Sequence, residues 1–267
     1  MSAEAKWGDL APRIGSAVAL IMLCGVEIYI GGTAFSLLIW VACGLMTWEL
    51  ARMFKSPRPV LLGLLGGFAL MLIEKLPGLI ETQAAALPLM LAAGLVGAGQ
   101  VARDRLLYGM FAIWVLAGSY AFLMLRHIAG LDWIIWLVAV VVISDVLGYF
   151  AGRMLGGPKF WPRISPKKTW SGTVAGWLGA AVVGIAFSVI VQSPLDPVVL
   201  AVISAAAALA GQMGDIAESA VKRRAGVKDS SALIPGHGGL LDRFDAMLGA
   251  SAFLFALWVL GMVQGSI

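Results

Sequence analysis

Residues 197–245 read PVVLAVISAAAALAGQMGDIAESAVKRRAGVKDSSALIPGHGGLLDRFD. The run opens as an apolar block and closes as a polar island. The apolar part, 197–221, is long enough to cross about 30 Å of hydrocarbon as a helix. From Gly211 to Asp245, 35 residues hold five Asp or Glu, five Lys or Arg, one of the two histidines and a Pro-Gly-His-Gly-Gly turn. Such a cluster stands out in a chain that is otherwise Leu, Ala, Val, Ile, Trp and Gly.

Working outward, the same apolar texture covers nearly all 267 residues. With 60% hydrophobic and 13% charged residues and a mean hydropathy of +0.92, too little polar residue exists to cover a soluble surface. The composition describes an all-α polytopic membrane protein with about nine spans. Their expected ranges are 14–30, 33–52, 59–76, 84–101, 106–125, 132–152, 172–192, 197–221 and 246–264. Gly31-Gly32, Pro77-Gly78 and Ser193-Pro194 with Pro197 mark tight turns between them. The first block lacks a small-x-small cleavage site and reads as a retained span, not a signal peptide. Cys24 and Cys43 lie in apolar runs and read as reduced core thiols.

With the N-terminus in the cytoplasm, 17 of the 19 Lys and Arg residues fall on the inner side and only Lys75 and Arg126 on the outer. That bias orients the chain with its N-terminus inside and its C-terminus outside. An N-terminal membrane region, 1–130, is expected to precede a catalytic one, 131–267. The latter carries two inner loops, 153–171 and 222–245, so any chemistry sits at the cytoplasmic boundary of the cell membrane.

Carboxylates inside a bilayer are costly and point to function. Asp145 falls near the inner end of the sixth block, and Asp215 and Glu218 near that of the eighth. The alternative is snorkelling to the interface or pairing with Arg153 or Lys222. Ala208, Gly211, Gln212, Asp215, Glu218, Ser219 and Lys222 recur at helical spacing and share one face. Asp242 and Asp245 lie three apart at the start of the ninth block, where a helix N-terminus favours anions; a simple cap would use them equally. The glycines of PGHGG allow close backbone approach to a phosphate. Within that turn His237 is a candidate ligand or acid/base, or a loop residue bonded to backbone. Ser165-Pro166-Lys167-Lys168-Thr169-Trp170 suits a polyphosphate or an acidic head group, or anchors generically on anionic lipid at about 1 kcal/mol per residue. Oxygen donors without a Cys/His cluster favour a hard cation such as Mg²⁺. Together these features suggest phosphoryl-type transfer on a lipid.

The stretch Ser219–Asp245 resembles the signature of the phosphatidate cytidylyltransferases (CDP-diacylglycerol synthases). It fits at Ser219, Val221, Lys222, Arg223, Lys228, Asp229, Ser231, Ile234, Pro235, His237, Gly238, Gly239, Asp242, Arg243 and Asp245. GQMGDIAES, SPKKTW and the Asp145–Arg153 run are similar too, although Val146-Leu147-Gly148 and Ser171 depart from the commoner residues. The resemblance implies transfer of CMP from CTP to phosphatidate, with release of pyrophosphate. It implies a divalent metal, Mg²⁺ with a second cation in reserve, on Asp215, Asp242 and Glu218. Asp215, Asp242, Lys222 and Asp245 would be catalytic. Lys167, Lys168, Gln212, Ser219, Arg223, Lys228, His237, Gly238, Gly239, Arg243 and Asp145 would bind substrate. CTP, phosphatidate and membrane lipids are the expected partners, with no nucleic acid, and the small-residue faces are compatible with a homodimer. Two other readings use the same residues: a CTP-dependent enzyme on a prenyl ether lipid or polyprenol, and an ion-coupled transporter. The transporter would need charges near the midplane; here they crowd the inner edge.

Overall fold

The computed structural model describes residues 10–76 and 86–262. Pro77-Gly78, Lys6 and the outer ends of the fourth and ninth expected spans lie outside the described residues. Among the described residues the helices are α1 (Leu10–Ile30), α2 (Gly32–Met53), α3 (Pro59–Lys75), α4 (Ala86–Gly99), α5 (Arg105–Met124), α6 (Leu131–Leu155), α7 (Trp170–Val191), α8 (Pro197–Ala225) and α9 (Leu241–Val259). A π-helical turn, Leu125–Ala129, follows α5.

Five helical stretches among the described residues are long and apolar enough to cross a membrane: Gly32–Met53, Arg105–Ala129, Leu131–Met154, Trp170–Val191 and Pro197–Ala225. Their outward faces carry bare aliphatic side chains such as Val182, Val189, Ile190, Val198 and Val202. In water such faces would aggregate, whereas lipid solvates them. The chain is a helical membrane protein.

One departure from an all-helical chain falls in the loop expected at 153–171. Lys159–Trp161 (β1) and Ser165–Thr169 (β2) pair as an antiparallel hairpin, with Lys159 opposite Thr169 and Trp161 opposite Ser165. Three- and five-residue strands with a Pro and adjacent lysines carry almost no sequence signal. The hairpin is tied down by Trp170 N–H, which donates to Pro158 O at 3.0 Å, and by the edge-to-face rings of Phe160 and Trp170, 4.6 Å apart. Thr169 then caps α7, its Oγ1 accepting from Gly172 N at 3.3 Å.

The chain divides into two compact units. Unit one comprises Met1–Leu116 and Ala225–Phe244; unit two comprises Ala117–Arg224 and Asp245–Ile267.

In unit one, Gly31 (φ 67) and Gly32 (φ 58) make the turn from α1 to α2, in backbone that a side chain would strain. Phe35, Ile39, Cys43, Met46 and Leu50 form the buried stripe of α2, and Leu62, Leu70 and Ile73 that of α3. The two helices cross at glycines: a Cβ on Gly44 would stand 3.0 Å from Gly63 O, and one on Gly67 2.8 Å from Trp40 O. Neither cysteine is in a disulfide; Cys43 is buried and Cys24 half-buried.

In unit two, α6 and α7 meet by the same device. A Cβ on Gly148 would stand 3.2 Å from Gly172 O, and one on Gly152 2.8 Å from Thr169 Oγ1. Without a hydrophobic drive between helices in lipid, such close backbone contact is what holds them. Along α8 the small residues serve α9 in the same way. A Cβ on Gly211 would stand 3.0 Å from Ala246 O. These contacts place the polar end of α8 beside β2 and α7.

Candidate active site

In unit two the polar face of α8 is organised by lysines. Lys168 Nζ, delivered by β2, lies 2.5 Å from Asp215 Oδ2 and donates to Gln212 O at 3.4 Å. Ser219, one turn on, donates to Asp215 Oδ1 at 3.3 Å. The Asp215 side chain is 33% exposed and that of Lys168 is 23%, so a solute anion or cation can reach either. Glu218 is fully buried and ion-pairs with Lys222 one turn along the helix. Asp245 is buried, its Oδ1 accepting from Ala246 N at 2.7 Å. Asp145 is exposed on α6, and Lys167 on β2 is exposed as well.

Gln212 is an internal tether in this arrangement. Its Oε1 accepts from Trp177 Nε1 at 3.0 Å, and its Nε2 donates to Ser144 Oγ at 3.1 Å and Thr173 O at 3.4 Å. A Cβ on Gly176 would stand 2.7 Å from both Gln212 Nε2 and Ser144 Oγ, so the glycine on α7 makes the room this amide fills.

In unit one the loop between α8 and α9 is organised by carboxylates. Asp242 Oδ2 accepts from Ser230 N at 2.9 Å, Ser230 Oγ at 2.9 Å and Gly239 N at 2.7 Å. The PGHGG segment closes a turn in which His237 N donates to Ile234 O at 2.9 Å. Pro235 and Gly236 (φ 74) occupy its central positions, the pattern of a type II turn. Gly238 also has positive φ, 85, and a Cβ there would stand 2.8 Å from Asp242 Oδ2. The glycines thus bring backbone up to a carboxylate.

His237 sits within this scaffold. Ser16 Oγ, on α1, donates to Pro235 O at 3.0 Å and lies 3.0 Å from His237 Nδ1. With the hydroxyl proton so used, the ring donates from Nδ1, an assignment made from the network. Arg243 clasps the same turn, donating from Nε and Nη2 to His237 O at 3.0 and 2.7 Å. Arg223 and Lys228 are exposed.

Glu49 of α2, which no sequence motif singles out, is the carboxylate most deeply involved in the loop. It is fully buried and accepts from Ser231 Oγ at 2.6 Å, Leu241 N at 2.7 Å, Leu240 N at 2.9 Å and Ser230 Oγ at 3.2 Å. The only signal for it was a charge inside the block 33–52, which also fits snorkelling beside Arg52.

A hard cation matches the donors present, which are carboxylates without a thiolate or imidazole cluster. Among the described residues no three His, Cys, Asp or Glu side chains gather about one point. Asp215 could offer one carboxylate to such an ion: its side chain is partly exposed, and its present partner is the Lys168 ammonium.

The description "Cytidylyltransferase family" belongs to the family model that matches residues 11–260. This chain belongs to the cytidylyltransferase family. Within that family it is 34% identical over 254 residues to the phosphatidate cytidylyltransferase of Brucella abortus biovar 1 (strain 9-941), covering 92% of each chain. It is 32% identical over 269 residues to that of Bacillus subtilis (strain 168), covering 94% of this chain and 98% of the relative. It is 38% identical over 134 residues, about half of each chain, to that of Staphylococcus aureus (strain COL).

Proposed function

We propose that this cytidylyltransferase moves CMP from CTP to phosphatidate, giving CDP-diacylglycerol and pyrophosphate at the cytoplasmic face of the cell membrane. The reading is carried by the near-complete alignment, at 34% and 32% identity, with proteins named for that activity. The finer topology proposed with it is nine spans, N-terminus inside.

In the reaction a phosphatidate phosphate oxygen forms a bond to the α-phosphorus of CTP. The bond from that phosphorus to the bridging oxygen breaks, and pyrophosphate leaves. The nucleophile is already an anion, so no strong base is required; the difficulty is bringing two anions together. Lys168, with Lys167, Arg223 and Lys228, would neutralise and position phosphates, which is most of what phosphoryl transfer asks of a protein. As phosphate approaches, Lys168 exchanges Asp215 for it, which frees the Asp215 oxygen. Asp215 would hold Mg²⁺, which when bound supplies charge neutralisation at the phosphate oxygens. Asp242 would act from the first turn of α9, Lys222 and Glu218 as a buried pair on α8.

The test is acceptor choice. Detergent-purified protein given CTP, Mg²⁺ and phosphatidate should release pyrophosphate and CDP-diacylglycerol in equal amounts. Turnover with a polyprenol or a prenyl ether phosphate, and none with phosphatidate, would overturn the substrate assignment.

A further inference from the structure

We propose that Glu49 is a positioning residue for cytidylyl transfer, holding from α2 the loop that leads into Asp242, in the first turn of α9, in its working geometry. This rests on the functional reading above.

Glu49 accepts four hydrogen bonds from two separate parts of one loop. Ser230 and Ser231 hydroxyls come from its first half, and the Leu240 and Leu241 amides from its end. The two amides open α9 (Leu241–Val259). They are among the N–H groups that a helix leaves without internal partners and that carry its positive end. A buried carboxylate there satisfies the donors and is stabilised by them. Glu49 therefore fixes where α9 starts, and Asp242 is the second residue of that helix.

A further link passes through Ser230. Its single hydroxyl proton lies within reach of Asp242 Oδ2 at 2.9 Å and Glu49 Oε2 at 3.2 Å. The two carboxylates are thus joined through one hydroxyl, and Gly239 completes the cluster. A side chain at Gly239 would overlap both Ser230 Oγ and the Glu49 carboxylate. The donors named here are hydroxyls and backbone amides, and two carboxylates repel a phosphate and do not neutralise it, so the part left to the cluster is to set geometry.

Glu49→Gln tests this with little change in volume. One oxygen becomes an NH₂, which must face a donor it cannot satisfy, and a buried donor left unpaired is costly. Glu74→Gln is the control. Glu74 is also buried in unit one, on α3; it accepts from Ser36 Oγ at 2.9 Å and Trp40 Nε1 at 2.7 Å and ion-pairs with Lys75 at 2.8 Å, partners that lie on α2 and α3. In the intact protein, Glu49→Gln should lower kcat by about 10- to 100-fold with KM for CTP within about threefold. Amide hydrogen exchange should accelerate at Ser230 and Gly239–Leu241 while the middle of α2 stays protected. Glu74→Gln should keep kcat although its Tm falls by a similar amount. Wild-type kcat in Glu49→Gln, or an equal kcat loss in both variants at equal Tm, would overturn the positioning role. If the wild type transfers no CMP, the functional reading falls, and unchanged loop exchange in Glu49→Gln would separately overturn the hold on the loop.

Discussion

Asp215 and Asp242 are the same side chain kept in opposite company. Asp215 pairs with an ammonium on a flexible stem, Lys168, and both are partly open to solvent. Asp242 accepts from two backbone amides and a hydroxyl, all neutral and tied to the loop. An ion pair that solvent still reaches is weaker than a fully buried one, and either partner can exchange for a solute ion. A carboxylate satisfied by fixed N–H groups does not move without rebuilding the loop. Under the proposed function, the first arrangement would give way to a charged substrate and the second would outlast it.

The contrast breaks first at its exchangeable side. Asp215→Asn should take CDP-diacylglycerol formation to background while leaving Tm nearly unchanged, because the side chain is not part of a packed core. Activity and thermal unfolding measured on one preparation check both halves. Lys168→Ala should follow, with kcat/KM lower by about 10²- to 10³-fold, the order lost when one donor to a developing anion is removed. Gly239→Ala attacks the rigid side. Its Cβ has no room beside Ser230 and Glu49, so stability should fall by about 1–3 kcal/mol, visible as a lower Tm together with reduced kcat. Arg223→Ala and Lys228→Ala should do least. KM for CTP should rise a few-fold at low salt, and the difference should shrink as ionic strength climbs and the Debye length falls below about 8 Å.

The sequence reached the first arrangement more fully than the second, for a physical reason. Helical spacing alone puts Asp215 with Ser219 and Glu218 with Lys222, and both contacts form at i,i+4. Local periodicity can report such pairs because the helix brings them together. Glu49 meets Ser231 across 182 residues, and no periodicity spans that distance. A single Glu in an apolar block looks the same whether it snorkels or organises a loop. Helical spacing puts Gln212 on the polar stripe, but its amide partners Trp177, Ser144 and Thr173 come from other helices, which no periodicity announces. The Lys159–Thr169 hairpin went unread because its strands are short and lysine-rich, and packing by Phe160 and Trp170, not propensity, maintains it. The helices were legible because a bilayer demands long apolar runs.

The central claim is that the α-phosphorus of CTP is the atom attacked, and the position of a label tests it. Purified protein with phosphatidate and Mg²⁺ should carry ³²P from [α-³²P]CTP into the organic-phase lipid and leave ³²P from [γ-³²P]CTP in aqueous pyrophosphate. Lipid labelled from the γ position would make the chain a CTP-dependent kinase, and no lipid labelled from either position would contradict the account outright.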